Sequence, residues 1–171
     1  EDVRCAADEL RSVYDATGGN DGFVSIEVRP QLAHDTEGSI IEARRLWKAC
    51  DRPNVMVKIP STKEGLPAIR RCLSEGVNIN ITLLFSVARY REVMEMFLSA
   101  LEERVAAEMP VDRLHSVASF FVSRVDTNVD KKLERIAQGR KSVPQMELAR
   151  NLRGKLAIAN ARIAYQTFRV V

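Results

Sequence analysis

The 171-residue sequence has little of what usually assigns a chain to a functional class at once. Two histidines and three cysteines, without CxxC spacing, offer no recognisable metal site. The net charge is only +3 and the basic residues are scattered, which disfavours nucleic-acid binding. No apolar run approaches the roughly 20 residues of a membrane span. We therefore expect no metal, no nucleic-acid partner and no membrane partner.

Glycine-rich phosphate loops are also missing, since neither GxGxxG nor GxxxxGK[ST] occurs, and this argues against a nucleotide-binding protein. Cys5, Cys50 and Cys72 lie in helical patterns and are interpreted as small buried side chains in a reducing compartment, so the expected location is cytoplasmic. The first residue, Glu1, already lies inside a helical pattern. We expect the chain to be part of something longer.

Helical and strand patterns alternate along the whole sequence. A first helical pattern ends at Gly18-Gly19, and four strand patterns follow, each with a helical pattern after it. The strand patterns lie at 22–28, 54–60, 77–82 and 116–121. Such alternation predicts an α/β fold with a parallel sheet and right-handed crossovers.

Capping signals predict where several helices begin. Ser61 with Glu64 matches a capping box, and Asp126 can cap the helix that runs to residue 139. Ser142 with Gln145 matches a second box, and it opens a final helix that is expected to continue almost to the last residue.

Each predicted strand has one apolar face and one face with polar side chains. The polar faces carry Ser25 and Glu27, then Lys58, then Asn78, Asn80 and Thr82, then Ser119, with Phe121 beside it and Arg124 just beyond. The long helical connections argue against hairpins as the explanation. A (βα) barrel of TIM type explains the pattern, because its polar residues point inward near the C-terminal strand ends, where barrel active sites lie. We favour this barrel over a doubly wound sheet.

Lys58 is the most unusual residue of these faces, because a buried ammonium is costly unless it is paired or neutral. One interpretation is a structural ion pair with Glu27. The other is a nucleophilic amine whose pKa falls from about 10.4 toward 7 by desolvation, and which forms a Schiff base with a carbonyl. Glu27 and Thr82 can then hold a water for proton transfer.

The remaining polar residues complete a substrate site. Asn80 can bind hydroxyl groups, and Arg124 with Ser119 can hold a phosphate. Together with an activated lysine, these residues fit a class I aldolase that acts on a phosphorylated sugar.

Four segments resemble the transaldolase family, in order and spacing: SIEVRP, VMVKIPSTKEG, GVNINITLLFS and SFFVSRVDTNVD. The resemblance implies an eight-unit α/β barrel that moves a dihydroxyacetone unit between sugar phosphates in the pentose phosphate pathway, with no metal or organic cofactor. The implied substrates are fructose 6-phosphate, sedoheptulose 7-phosphate, erythrose 4-phosphate and glyceraldehyde 3-phosphate. The segments are most similar to a bacterial branch sometimes fused to glucose-6-phosphate isomerase.

The resemblance also implies residue roles. Lys58 resembles the Schiff-base lysine, Glu27 and Thr82 the pair that positions the catalytic water, Asn80 the substrate-binding asparagine, Ser119 and Arg124 the phosphate-binding positions, and Phe121 an aromatic residue lining the site.

The similarity implies that the sequence holds only strands three to six of the family's barrel. The aspartate of the first strand, the Thr and Asn of the second, and the seventh and eighth strands have no counterpart in it. We therefore expect one incomplete barrel domain over 1–171, whose activity on its own stays open.

Two other functions are weighed against this one. A half-barrel exposes two strand edges, at 22–28 and 116–121, and these could pair between copies to form a homo-oligomer. A flavodoxin-like binding module is the third hypothesis, and the missing glycine loop disfavours it.

Overall fold

The computed structural model describes residues 1–170. The chain order of its regular elements is α1 (Asp2–Glu9), α2 (Arg11–Ala16), β1 (Val24–Glu27), a 3-10 turn (Pro30–Leu32), α3 (Thr36–Cys50), β2 (Val55–Pro60), α4 (Gly65–Ser74), β3 (Ile79–Leu84), α5 (Val87–Ala106), β4 (Ser116–Phe120), α6 (Ser123–Gln138), α7 (Val143–Leu152) and α8 (Leu156–Val170). They form two compact units. The first holds residues 1–84 and 92–119, and the second holds residues 85–91 and 120–170.

The strands form one four-stranded sheet in the order β1-β2-β3-β4. β1 pairs parallel with β2, and β2 pairs parallel with β3. At the start of β3, the Ile79 N–H donates to the carbonyl of His115, next to β4. The predicted α/β fold with a parallel sheet is confirmed.

The core of the first unit lies on the apolar face of this sheet. Val55, Val57 and Ile59 of β2 and Ile79 of β3 are fully buried. Helices α3 and α4 pack on β2, and the buried side of α4 includes Ile69. Burying such a side chain contributes about 1.5–3 kcal/mol, so these residues strongly favour the register that directs them toward the helices.

Two buried asparagines form hydrogen bonds that hold the segments preceding the strands. The Nδ2 group of Asn54 donates to the carbonyls of Ala7, at 2.8 Å, and Gly22, at 3.0 Å. The sequence pattern predicts that Asn78 lies on the polar face of the third strand. The structure instead puts it just before β3, where its Oδ1 accepts from the His115 N–H at 2.9 Å. Asn78 therefore has a structural role.

Arg104 is a buried cation near the end of α5, with 7% of its surface exposed. Its guanidinium donates to the carbonyl of Pro110, through Nε at 2.9 Å, and to the carbonyl of Ser74, through Nη1 at 3.1 Å. These bonds join the end of α5 to its following loop and to the last residue of α4.

Two helices expected to be continuous are divided in the structure. The first pattern splits at Leu10, which ends α1 and precedes α2. The final pattern splits around Gly154, whose φ is +67° and whose N–H donates to Asp130 Oδ1 at 3.0 Å. A left-handed residue cannot continue a right-handed helix, so α7 and α8 are separate.

Two of the three predicted caps are wrong. The Ser61 hydroxyl does not cap α4; the Gly65 N–H donates instead to Thr62 Oγ1 at 3.0 Å. Asp126 lies inside the first turn of α6 and accepts from the Ala157 N–H at the start of α8, at 2.9 Å. The capping box of Ser142 with its glutamine partner is confirmed at the start of α7.

The cysteines also differ from expectation at one position. Cys5 is exposed, whereas Cys50 and Cys72 are buried. Burial raises the pKa of the Cys72 thiol to about 12.

Among residues 1–170, none of the helices is both long and apolar enough to cross a bilayer.

Candidate active site

Glu27, Lys58 and Asn80 lie side by side across β1, β2 and β3. The register pairs Glu27 with Lys58 and Lys58 with Asn80. Lys58 Nζ lies 3.6 Å from Glu27 Oε2, with 28% and 47% of the two side chains exposed. The ion-pair contact expected by sequence is therefore present. Partly exposed pairs contribute only about 0–1 kcal/mol, so stability alone is a weak reason for this lysine.

The Asn80 amide is held from both sides. Its Nδ2 donates to Ser25 Oγ on β1 at 3.1 Å, and its Oδ1 accepts from the Ser119 hydroxyl on β4 at 2.7 Å. These bonds fix which way the amide faces. The sequence pattern predicts only that Ser25 belongs to a polar face, and nothing in its local sequence indicates that it contacts a residue on β3.

The bond between Ser25 and Asn80 passes over β2. Neighbouring strands lie about 4.8 Å apart, so alternate strands in a flat sheet hold short side chains too far apart for such contact. The sheet therefore curves toward this polar face. Alternate strands share side-chain layers inside a TIM-type barrel, and the arrangement is consistent with a part of one.

Thr82 lies on β3 two residues beyond Asn80, in register with Pro60 and only 1% exposed. Its carbonyl accepts from the Ser61 N–H at 2.9 Å. The next residue, Leu83, has a φ of +60°, and its carbonyl accepts from the Ser61 hydroxyl at 3.2 Å. Thr82 is thus held next to a left-handed residue within a strand.

Phe121 and Arg124 belong to the second unit and contact each other there. The Arg124 Cζ lies 5.1 Å from the centre of the Phe121 ring, within the range of a cation–π interaction. Phe121 also stacks on Phe85, with ring centres 5.2 Å apart. Arg124 lies in the first turn of α6 and is exposed.

The loops after β1 and β2 are joined at the end of the sheet where Lys58 lies. Thr36 Oγ1 donates to the Glu64 carbonyl at 2.7 Å, and His34 Nδ1 lies 3.2 Å from Glu64 Oε2. A backbone hydrogen bond, and next the contact with His34, lower the pKa of the Glu64 carboxyl. Thr62 Oγ1 donates across to the carbonyl of Ala33.

Within residues 1–170, no three His, Cys, Asp or Glu side chains are grouped to bind a metal ion. The sheet face itself offers one primary amine beside a carboxylate, an oriented amide and several hydroxyls. An amine can attack a carbonyl, a carboxylate can accept a proton, and an amide can bind hydroxyl groups.

The fold and this row of side chains define the class: an α/β protein with a curved parallel sheet and a lysine–carboxylate–amide row on its polar face. A family model described as Transaldolase/Fructose-6-phosphate aldolase matches residues 1–171. The chain belongs to that family, and the resemblance inferred from its motifs is confirmed.

Named relatives show the same relationship. The chain is 56% identical over 170 residues to a transaldolase of Thermobifida fusca, covering 99% of this chain and 44% of the relative. It is 55% identical over 170 residues to transaldolase 1 of Streptomyces avermitilis, covering 99% and 43%. It is 52% identical over 171 residues to a transaldolase of Mycobacterium tuberculosis, covering 100% and 44%. The chain thus spans less than half the length of these relatives.

Proposed function

We propose that the chain carries the Schiff-base part of a transaldolase site, which transfers a dihydroxyacetone unit between sugar phosphates. Membership of the family supports the reaction class. The single observation that carries the assignment of residues is the amine of Lys58, partly buried and aligned between Glu27 and Asn80. That position suits a nucleophile with a proton acceptor on one side and a hydroxyl-binding group on the other.

The proposed chemistry begins with Lys58. Its neutral amine attacks the ketone carbon of the donor sugar, and the carbinolamine loses water to give an iminium ion. The bond between the carbons α and β to the former ketone carbon then breaks, its electrons pass through the α carbon to the iminium nitrogen, and an aldose phosphate leaves. The resulting enamine attacks the aldehyde of a second aldose phosphate, and hydrolysis returns the amine.

Proton transfers accompany the formation and hydrolysis of the Schiff base. In our proposal, Glu27 and Thr82 hold the water that carries these protons. The hydroxyl at the cleaved bond must also lose its proton. The resemblance gives that role to a first-strand aspartate with no counterpart in this sequence, so the seven candidate residues do not include that base.

Substrate binding is assigned to the remaining residues. An amide nitrogen carries two N–H groups, so Asn80 can donate to a sugar hydroxyl as well as to Ser25. Arg124 supplies a permanent positive charge for the phosphate, and Phe121 contributes an aromatic wall. The Ser119 hydroxyl has one proton, which it donates to Asn80, so donation to a phosphate requires it to release that bond.

The proposal extends to the architecture and setting. β1 to β4 correspond to strands three to six of a TIM-type barrel, and the hydrogen bond that passes over β2 supports this assignment. The proposed donors are fructose 6-phosphate and sedoheptulose 7-phosphate, and the acceptors are erythrose 4-phosphate and glyceraldehyde 3-phosphate. The expected setting is the pentose phosphate pathway of the cytoplasm.

Borohydride trapping tests this proposal. With fructose 6-phosphate present, the reductant should leave one stable adduct per chain on Lys58, located by peptide mass spectrometry. Lys58→Met should fold and form no adduct. Lys63→Met is the matched control, because Lys63 is an exposed lysine five residues further on, and it should be labelled at Lys58 like the original chain.

An unmodified Lys58 in the original chain would contradict the proposal. Circular dichroism of Lys58→Met separates the two interpretations of the lysine. A folded, unreactive variant supports the nucleophile. An unfolded one would show that Lys58 contributes more to stability than the about 0–1 kcal/mol of a partly exposed ion pair, and would favour a structural role for it.

A second candidate function is association between copies, and the strand order favours it. β1 and β4 are the two terminal strands of the sheet, and Val117 of β4 is 43% exposed. Unpaired strand edges readily add further strands. Light scattering over a range of concentrations should then show a dimer or larger assembly, and a strict monomer would contradict this candidate.

A further inference from the structure

We infer that Ser61 is a positioning residue for Thr82, and that it acts through the left-handed backbone of Leu83. The inference rests on the proposed role of Thr82 in holding the catalytic water. Ser61 carries no role in that proposal. Its sequence context, four residues before Gly65, suggests a helix cap, but its hydroxyl is directed to β3 instead.

Leu83 is the first part of the argument. It lies within β3, and its φ of +60° is a conformation that residues with a β-carbon rarely adopt. Such backbone persists only where the surroundings hold it, and it is concentrated at functional sites. The residue before it is Thr82, and the two share a peptide group, so a relaxation of Leu83 acts directly on the backbone that carries the Thr82 side chain.

Ser61 makes the contacts that stabilise the left-handed conformation of Leu83. It follows β2 directly and is 5% exposed. Its N–H donates to the Thr82 carbonyl at 2.9 Å, and its hydroxyl donates to the Leu83 carbonyl at 3.2 Å. Ser61 therefore binds the carbonyls of two consecutive peptide groups of β3, the two that flank the Cα of Leu83.

The backbone bond alone cannot do this. An N–H to carbonyl bond is made equally by any residue at position 61 except proline, and it leaves the Leu83 carbonyl free to rotate. Without the hydroxyl, the partly buried Leu83 carbonyl loses a partner and the strained φ loses its support. We expect Leu83 to relax toward the extended region and Thr82 to move with it.

The test compares four variants of the full chain: Ser61→Ala, Ser61→Thr, Thr82→Val and the double variant Ser61→Ala/Thr82→Val. The control is Ser74→Ala, because Ser74 is also a buried serine that donates to a backbone carbonyl, that of Arg71 in α4. The readout is the rate at which borohydride and fructose 6-phosphate label Lys58.

A misplacement of about 1 Å can cost about a hundredfold in rate, so we expect Ser61→Ala to slow labelling roughly tenfold to a hundredfold. Ser61→Thr keeps the hydroxyl and should restore most of the rate. The double variant should be no slower than Thr82→Val, because both changes remove the same group's function. Ser74→Ala should label like the original chain.

Additive effects in the double variant would overturn the inference, and so would an unchanged rate in Ser61→Ala.

A second measurement does not depend on chemistry at Lys58. The intraresidue HN–Hα contact of Leu83 is strong in NMR spectra only when φ is positive. It should be strong in the original chain and weak in Ser61→Ala.

This spectrum keeps the two proposals distinguishable. If the original chain forms no adduct, the proposed function fails, while loss of the Leu83 signal in Ser61→Ala still supports the positional link. A left-handed Leu83 that survives in Ser61→Ala overturns the inference whatever the labelling shows.

Discussion

At the scale of single residues, left-handed backbone is the feature with the clearest energetic consequence. Asp51 ends α3 with a φ of 48°, and it is exposed. A β-carbon is unfavourable there, and a carboxylate at a helix C-terminus also opposes the helix dipole. The residue therefore destabilises the chain on two separate grounds.

Replacing Asp51 by glycine should raise the free energy of unfolding by about 1 kcal/mol, because glycine adopts positive φ without steric cost. Urea denaturation measures the change. Asp51→Asn is the control, since it removes the charge and keeps the side chain, and it should give a smaller gain. A loss of stability in Asp51→Gly would show that the helix does not end in this conformation.

Residue identities at the candidate site were predictable where a local rule applies. Alternation along the strands was enough to place Lys58 and Asn80 on one face, and parallel pairing brought Glu27 beside the lysine. The partner of Ser61 was not predictable, because the capping pattern is read from four neighbouring residues. Its actual acceptor, Leu83, is 22 residues away on another strand.

At the scale of elements, the turn between α7 and α8 depends on one glycine. Gly154 has a φ of +67°, and a β-carbon built on it would meet nothing within 4 Å. Any cost of substitution there is therefore conformational and not steric. The apolar pattern of the sequence runs through this turn without interruption, so periodicity alone predicted one helix where the structure has two.

Gly154→Ala should lower the free energy of unfolding by about 1–2 kcal/mol, the cost of a β-carbon in the left-handed region. Gly154→Asn should cost less, because asparagine tolerates this region better than alanine. Thermal or urea unfolding of the two variants gives the comparison. Equal stability of Gly154→Ala and the original chain would favour the single continuous helix.

At the scale of the whole molecule, strand–helix alternation correctly predicted the α/β class and the parallel sheet. Both follow from the short-range periodicity of apolar residues and from connection lengths. The curvature of the sheet depends on contacts between alternate strands, such as Ser25 with Asn80, and sequence order does not record these.

Stability of the molecule should fall as the pH falls. Hydrogen bonds from arginines are the largest cause of lowered carboxyl pKa values at Asp8, Glu42 and Glu75, and a backbone hydrogen bond is the largest at Glu64. Burial lowers the pKa of His115. In every case the unfolded chain binds the proton more readily, so acidification favours unfolding.

The free energy of unfolding in urea should therefore begin to decline as the pH falls below the ordinary histidine pKa of 6.5. It should decline further below 4.5, the ordinary value for glutamate, as the carboxylates are protonated. Urea is preferred because guanidinium salts screen ion pairs. An NMR titration of the His115 ring measures the contribution of this histidine separately from that of the carboxylates. Constant stability from pH 7 to pH 3 would contradict the prediction.

Arg104 has a consequence for the order in which the chain folds. Its two acceptors lie at very different distances along the sequence, six residues for Pro110 and 30 for Ser74. Closing the shorter loop costs less entropy, so the loop after α5 can form against the guanidinium while α4 is still undocked. The guanidinium of Arg104 is then already oriented to donate to the Ser74 carbonyl when α4 docks. We therefore expect the contact of Arg104 with Pro110 to form before its contact with Ser74 during folding, so that one side chain connects a local loop to the long-range docking of α4.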